Sequence, residues 1–325
     1  MIEPVTFTPS DPVDGVVVVD KPVGLSSFAV VRLARHTTGA RKVGHGGTLD
    51  PLASGVLPIC FGEATKLAQF LLDADKEYEA TLRFGVETDT HDSTGSPIAR
   101  APADHLTEDG VRAALLRFLG AQTQLPPMYS ALKRAGRPLY AYARAGQTVE
   151  LAPRAIRIDE LSLRGLDWGP PQADGGASVE LEGPVARIFV RCSKGTYIRA
   201  LARDIGRALG TVAHLAALRR TRSGPFEIAR AISVDALSNR PLPVVALADA
   251  LAHLPAVTVS AGVVRTLVRG QRICWQDAVT EPLAALPGSL PIRILDPGGA
   301  LIAVARPGSG SEPLLTVRVF SGSLR

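Results

Sequence analysis

The segment Lys42-Val43-Gly44-His45-Gly46-Gly47-Thr48-Leu49-Asp50-Pro51-Leu52-Ala53-Ser54-Gly55-Val56-Leu57-Pro58 constrains this chain more than any other stretch. It sets one carboxylate, Asp50, in a glycine-rich loop, with a histidine before it and a proline after it. Gly46 and Gly47 permit backbone angles that bulkier residues resist, and they leave room for a ligand to approach. Pro51 restricts Asp50 to extended or turn geometry. Such an aspartate is either an ordinary Asp-Pro turn or a carboxylate held in place to act as a nucleophile. Local chemistry leaves both readings open.

The totals narrow the class. A chain of 325 residues can bury a sizeable core, as one large domain with a smaller one. Hydrophobic residues make up 46%, a globular composition. Cys60, Cys192 and Cys274 are odd in number and far apart, with no CxxC pair. That argues against a disulfide framework or a zinc site and fits a reducing cytoplasm. The first twelve residues hold Glu3 and Asp11 and no basic stretch, unlike a secretory signal. Apolar runs such as residues 16–19 are too short to cross a bilayer. The net charge is +5, supplied mostly by arginine. Guanidinium groups bind phosphate in a planar fork, so an anionic partner is favoured.

Hydrophobic patterning predicts the elements around the loop. Residues 15–19 read as a buried strand, and Asp20-Lys21-Pro22-Val23-Gly24 turns the chain. Ser26 or Ser27 caps a helix with Val30, Leu33 and Ala34 on one face. Residues 77–84 alternate, with Tyr78, Ala80, Leu82 and Phe84 directed to one side. Thr107 caps a helix bearing Val111, Ala114, Leu115 and Phe118, and Gly120 ends it. Residues 187–192 read as a strand. Thr196 then caps a helix with Ile198, Leu201, Ala202, Ile205 and Leu209 as its apolar stripe. Arg199, Arg203 and Arg207 share another face, which by itself reads as a solvated row.

Residues 124–147 interleave Lys133, Arg134, Arg137 and Arg144 with Tyr129, Tyr140 and Tyr142. This suits phosphate contact and base stacking, and equally a solvated insertion. A proline-punctuated stretch, 241–255, reads as a linker with one short helix. Beyond it, a helix over 260–269 and strands at 292–295, 301–305 and 314–320 are expected. A turn at Pro297-Gly298-Gly299 joins the first two strands, and Gly308-Ser309-Gly310-Ser311 reads as a flexible loop.

Seven segments in order resemble the bacterial tRNA pseudouridine-55 synthases of the TruB type. They are Gly15-Val16-Val17-Val18-Val19-Asp20-Lys21-Pro22, residues 42–58, and Gly62-Glu63-Ala64-Thr65-Lys66. Asp75-Lys76-Glu77-Tyr78, Met128-Tyr129-Ser130-Ala131-Leu132-Lys133, Ser193-Lys194-Gly195-Thr196-Tyr197-Ile198-Arg199 and Leu218-Arg219-Arg220 complete the set. The similarity covers about residues 14–237. Gly46 stands where such proteins often carry Thr or Ala, a difference expected to matter little in a loop. The resemblance implies an α+β fold: a mostly antiparallel central sheet flanked by helices, with a small β-rich PUA-like C-terminal domain. The implied domains are 1–254, with an RNA-clamping insertion over 123–150, and 255–325.

The resemblance also implies a reaction. Uridine at position 55 in the tRNA T loop is isomerised: N1–C1′ breaks, the uracil rotates, and C5 bonds to C1′. No cofactor or metal is needed. Asp50 is then the nucleophile, by attack on C1′, by a glycal route through C2′, or by attack on C6. Arg199 is its counterion, because a carboxylate taken out of water needs a buried positive partner. Tyr78 stacks on the base and is a candidate to remove the C5 proton. Tyr197 and Leu218 line the uracil pocket, and His45 contacts the displaced nucleotide or fills its place. Lys21, Lys42, Lys133, Arg219 and Arg220 are candidate backbone anchors, and residues 89–92 candidate polar RNA contacts. Flipping the base costs a few kcal/mol, which aromatic stacking at about 1–3 kcal/mol offsets.

The expected partner is the tRNA T-arm, bound by a cytoplasmic monomer with no membrane and no obligatory protein partner. Competing readings are a tRNA-binding or folding module without chemistry and an RNA-guided synthase subunit. A glycosidase would want a second carboxylate.

Overall fold

The structure is a computed structural model. It describes residues 5–6, 14–130, 132–134, 136–143, 145–147, 149–168, 183–239, 241–278, 290–306, 308 and 310–320. Glu3, Asp11, Arg144 and Ser309, and the side chains of Lys133 and Tyr140, lie outside the described residues.

A ten-stranded sheet organises the chain. Its main path runs Ile232–Ser233, Gly15–Lys21, Ala53–Phe61, Ala213–Ser223, Lys76–Phe84, Val185–Cys192, Arg154–Asp167, Gly120–Gln124. Ala213–Ser223 runs parallel to Ala53–Phe61 and Ile232–Ser233 parallel to Gly15–Lys21; the other pairs on this path are antiparallel. The valines of Gly15–Lys21 are nearly inaccessible, as a strand covered on both faces requires. Tyr78, Ala80, Leu82 and Phe84 are buried as their alternation predicts. Lys76, on the same parity, is buried with them, and Arg83, on the opposite parity, is buried too, so the end of this strand is covered on both sides.

The helices Ser27–Thr38, Glu108–Leu116 and Ile198–Ala208 lie against the sheet. Ser26 caps the first of them by accepting from the Ala29 N–H, and Gly39 ends it in the left-handed region. Thr107 caps the second through the Gly110 N–H. That helix ends at Leu116, ahead of Gly120, which opens the next strand. The third is capped at Tyr197 without a side-chain bond, and the Thr196 hydroxyl instead donates to Ser193 O within the turn.

The C-terminal residues form a four-stranded sheet, Ala256–Thr258, Ile292–Leu295, Leu301–Ala305, Thr316–Val319, beside the helix Ala261–Val268. Its Leu301, Val304 and Phe320 share one apolar cluster with Val16, Val18, Val56 and Cys60 of the large sheet. Among the described residues no helix is long and apolar enough to cross a membrane.

Candidate active site

The loop after Val43–His45 is fastened at several points. The Ser27 hydroxyl accepts from Leu49 N–H at 2.8 Å and donates to Leu49 O at 2.9 Å. The Gly24 N–H donates to Pro51 O, and the Ala53 N–H to Asp50 O. Arg220 donates to Gly47 O at 3.1 Å and Thr48 O at 3.3 Å. A segment held this way presents its side chains with little reorganisation. Gly46 is buried, and a Cβ there would lie 2.8 Å from Leu71 Cδ1. The position is therefore tightly filled, contrary to the expectation that it matters little.

Asp50 leaves this loop toward the N-terminal turn of Ile198–Ala208. Its Oδ2 lies 2.9 Å from Arg199 Nη2. The Asp50 side chain is 42% exposed and the Arg199 side chain 6%. The cation is thus interior, and the carboxylate is open on one side and not taken fully out of water. Arg199 also donates to Thr90 O at 3.1 Å and Tyr129 O at 2.8 Å. Its Nε sits 3.6 Å from Asp92 Oδ2. A cation in the first turn of a helix opposes the helix dipole, and two carboxylates offset that cost.

Asp92 is the residue whose role the sequence reading missed. It is 4% exposed, so it cannot serve as a surface RNA contact. Its Oδ1 accepts from the Thr90 hydroxyl, the Thr94 hydroxyl and the Thr94 N–H. Threonines two residues to either side of an aspartate were the available signal, because their hydroxyls bracket a carboxylate turned inward. The arginine row is also not a solvated face: Arg199 and Arg203 are buried, and only Arg207 is exposed, paired with Glu87. Arg203 donates to Leu125 O, and the Gln124 amide bonds both the N–H and the carbonyl of Tyr197.

Tyr78, Tyr197 and Lys21 all lie within electrostatic reach of Asp50. Burial pushes the Tyr78 phenol up to about 12, so it is neutral near pH 7. Burial raises Tyr197 as well. Leu218 pairs with Ala53 at the loop's exit and packs on the main core. His45 accepts from the Gly47 N–H at 3.4 Å through Nδ1, and burial and the Arg220 charge push its pKa down.

The anchors divide. Lys42 is exposed. Arg219 is partly exposed and forms a double contact with Asp20. Lys21 is fully buried, its ammonium donating to Pro22 O and Leu25 O. Arg220 is 1% exposed. Neither of these two presents a charge to a phosphate, because their donors are committed to protein carbonyls. Among the described residues, no three of His, Cys, Asp or Glu come together as a ligand set for a metal.

Residues 35–198 match the family model described as TruB family pseudouridylate synthase, N-terminal domain. Residues 199–245 match that of the tRNA pseudouridylate synthase B C-terminal domain. The chain belongs to the TruB family of pseudouridylate synthases. Within the family it is 50% identical over 264 residues to the tRNA pseudouridine synthase B of Aromatoleum aromaticum, covering 80% of each chain. It is 46% identical over 305 residues to that of Burkholderia mallei, covering 91% of this chain and 94% of the other. Among solved structures it resembles Cbf5 in a Cbf5-Nop10-Gar1 complex, with a TM-score of 0.67 and 25% identity. That match covers 99% of this chain and 92% of the other. The α+β architecture is that of a pseudouridine synthase, and the chain is an isomerase of the TruB type.

Proposed function

We propose that the Asp50–Arg199 pair is the reacting centre at which this chain isomerises uridine 55 in the T loop of tRNA to pseudouridine. The observation that carries the reading is a carboxylate open on one side and held on the other by a buried guanidinium at 2.9 Å. Such a pair stays charged when a base covers its open side, since an arginine keeps its proton on desolvation. Asp50 then displaces uracil from C1′ or takes the C2′ proton. Arg199 stabilises the carboxylate throughout. The freed uracil turns and C5 bonds to C1′ as the Asp50 carboxylate leaves that carbon or, on the second route, gives its proton back to C2′; a base then takes the C5 proton and N1 takes one up. Tyr78 and Leu218, beside the loop, give the base an apolar wall. Tyr78 receives the C5 proton only after giving up its own, which its burial disfavours.

The relatives are named for action on tRNA, and the exposed Lys42 and the basic 124–147 segment suit that substrate. The chain acts as a cytoplasmic monomer without an obligatory protein partner. Residues 1–254 form its catalytic domain, with the 123–150 insertion folding over RNA, and 255–325 a PUA-like RNA-binding domain. A binding module without chemistry has no use for a guanidinium committed to a half-open carboxylate.

The test is Asp50→Asn, assayed for tRNA binding and for tritium release from 5-labelled uridine. Binding persists and release vanishes if the proposal holds. Undiminished release removes Asp50 from the mechanism.

A further inference from the structure

Arg220 stands next to Arg219 in sequence, yet strand alternation sends the two side chains in opposite directions. Arg219 pairs with Asp20 at the surface, and Arg220 enters the interior. There its Nε donates to Val56 O at 2.8 Å, and its two terminal nitrogens to Thr48 O and Gly47 O. Tyr78 is its partner across the strand pair, so the two side chains leave the sheet on the same face. No carboxylate among the described residues forms an ion pair with it. A buried cation balanced only by neutral oxygens is costly, and its retention calls for a use.

The geometry supplies one. Gly47 and Thr48 lie just before Asp50, so the guanidinium sets where the loop delivers that carboxylate. A guanidinium only donates hydrogen bonds. The three carbonyls that accept from it are its matched partners, and Tyr78 stands opposite it on the neighbouring strand. Gly55 lets the strands close on this arrangement, since a Cβ there would collide with the Arg220 backbone.

We propose that Arg220 is a positioning residue, one cation that fastens the Asp50 loop to the strand position facing Tyr78 and so sets the placement of the carboxylate relative to that tyrosine. This rests on the function proposed above.

The test compares Arg220→Met and Arg220→Lys with the unsubstituted full chain, on tRNA. Turnover at saturating tRNA, per folded molecule, should fall about a hundredfold in Arg220→Met, the scale for an ångström of misplacement. It should recover in part in Arg220→Lys, whose single nitrogen reaches fewer of the three carbonyls. Affinity for tRNA, and the slope of its logarithm against that of salt, should stay unchanged in both. Unchanged turnover with weaker binding and a slope smaller by about 1 would assign Arg220 to a phosphate and overturn the proposal. Should both variants fail to fold, the unsubstituted chain labelled with 15N-arginine decides. A slowly exchanging guanidinium whose signals persist when tRNA is added supports positioning; a freely exchanging one overturns it. Activity surviving in Asp50→Asn would instead sink the functional reading and leave that arginine spectrum as it was.

Discussion

Asp92 holds its carboxylate 3.6 Å from Arg199 Nε, while Asp50 takes another nitrogen of the same guanidinium at 2.9 Å. The two acids differ in burial: the Asp92 side chain is 6% exposed and that of Asp50 42%. One is a fixed support and the other is free to meet a ligand. Asp92→Asn keeps the shape and removes the charge. Turnover should fall roughly ten- to hundredfold, the loss of about 1.5–3 kcal/mol for a bond to a charged group. Binding of tRNA should hold, and a filter-binding assay beside the tritium-release assay checks both.

Arg199→Ala should abolish most activity, because Asp50 and Asp92 then face each other across an unfilled, partly buried space. Arg199→Lys should recover little. A single ammonium cannot reach Thr90 O, Tyr129 O and both carboxylates together. Single-turnover rates of the two variants, compared at saturating tRNA, test this.

Alkaline pH should act through Lys21. Burial lowers its pKa from 10.5 to about 8. Its folded value lies below its unfolded one, so between about pH 8 and 10.5 the unfolded chain binds more protons. The penalty for its buried charge is therefore fully present below pH 8 and is relieved as pH rises through that window. Activity runs the other way, because the loss of an ammonium near Asp50 weakens the field there. The rate should fall along a limb near pH 8. In Lys21→Met that limb should be absent, leaving a lower and flatter profile. Thermal melts and rates across pH 7–10 measure the two effects, with Lys76, also lowered to about 8, as a contributor to the melts.

Gly46→Ala should lower stability by about 1–3 kcal/mol, the cost of forcing a methyl against Leu71 and Pro58. Gly55→Ala should cost more. It meets rigid backbone and sits at a φ of 104°, which side chains rarely adopt. Urea titrations of the two variants give the order.

Lys42, exposed at the head of the loop, should behave as a phosphate contact. Lys42→Ala should weaken binding evenly across tRNA sequences and reduce the salt slope by about 1. Affinity that does not change between low and moderate salt would contradict the basic-surface reading.

Where patterning is local, the sequence was a good guide. The alternation of Tyr78 to Phe84 and the caps at Ser26 and Thr107 all have their counterparts in the structure. Asp50 beside Arg199 was legible only through a resemblance spanning many segments, since nothing local links positions so far apart. The fates of Lys21, Arg220 and Arg203 were not legible. Whether a basic side chain meets water or protein carbonyls depends on strand order and on what covers each face, which a period of two leaves unstated. Ser27 and Gln124 carried no signal, because a hydroxyl or amide that ties two distant backbones looks in sequence like any polar residue.

Phe320 and Leu301 share their apolar surroundings with Val16 and Val18, and Lys66 reaches over to the Val319 carbonyl. The final strands therefore serve as the rear wall of the sheet whose other parts carry the reacting loop. Truncation ahead of them would strip cover from Gly15–Lys21 and, through it, loosen the footing of Asp50. For this fold, losing the tail is an injury to the reaction centre and not the shedding of an accessory.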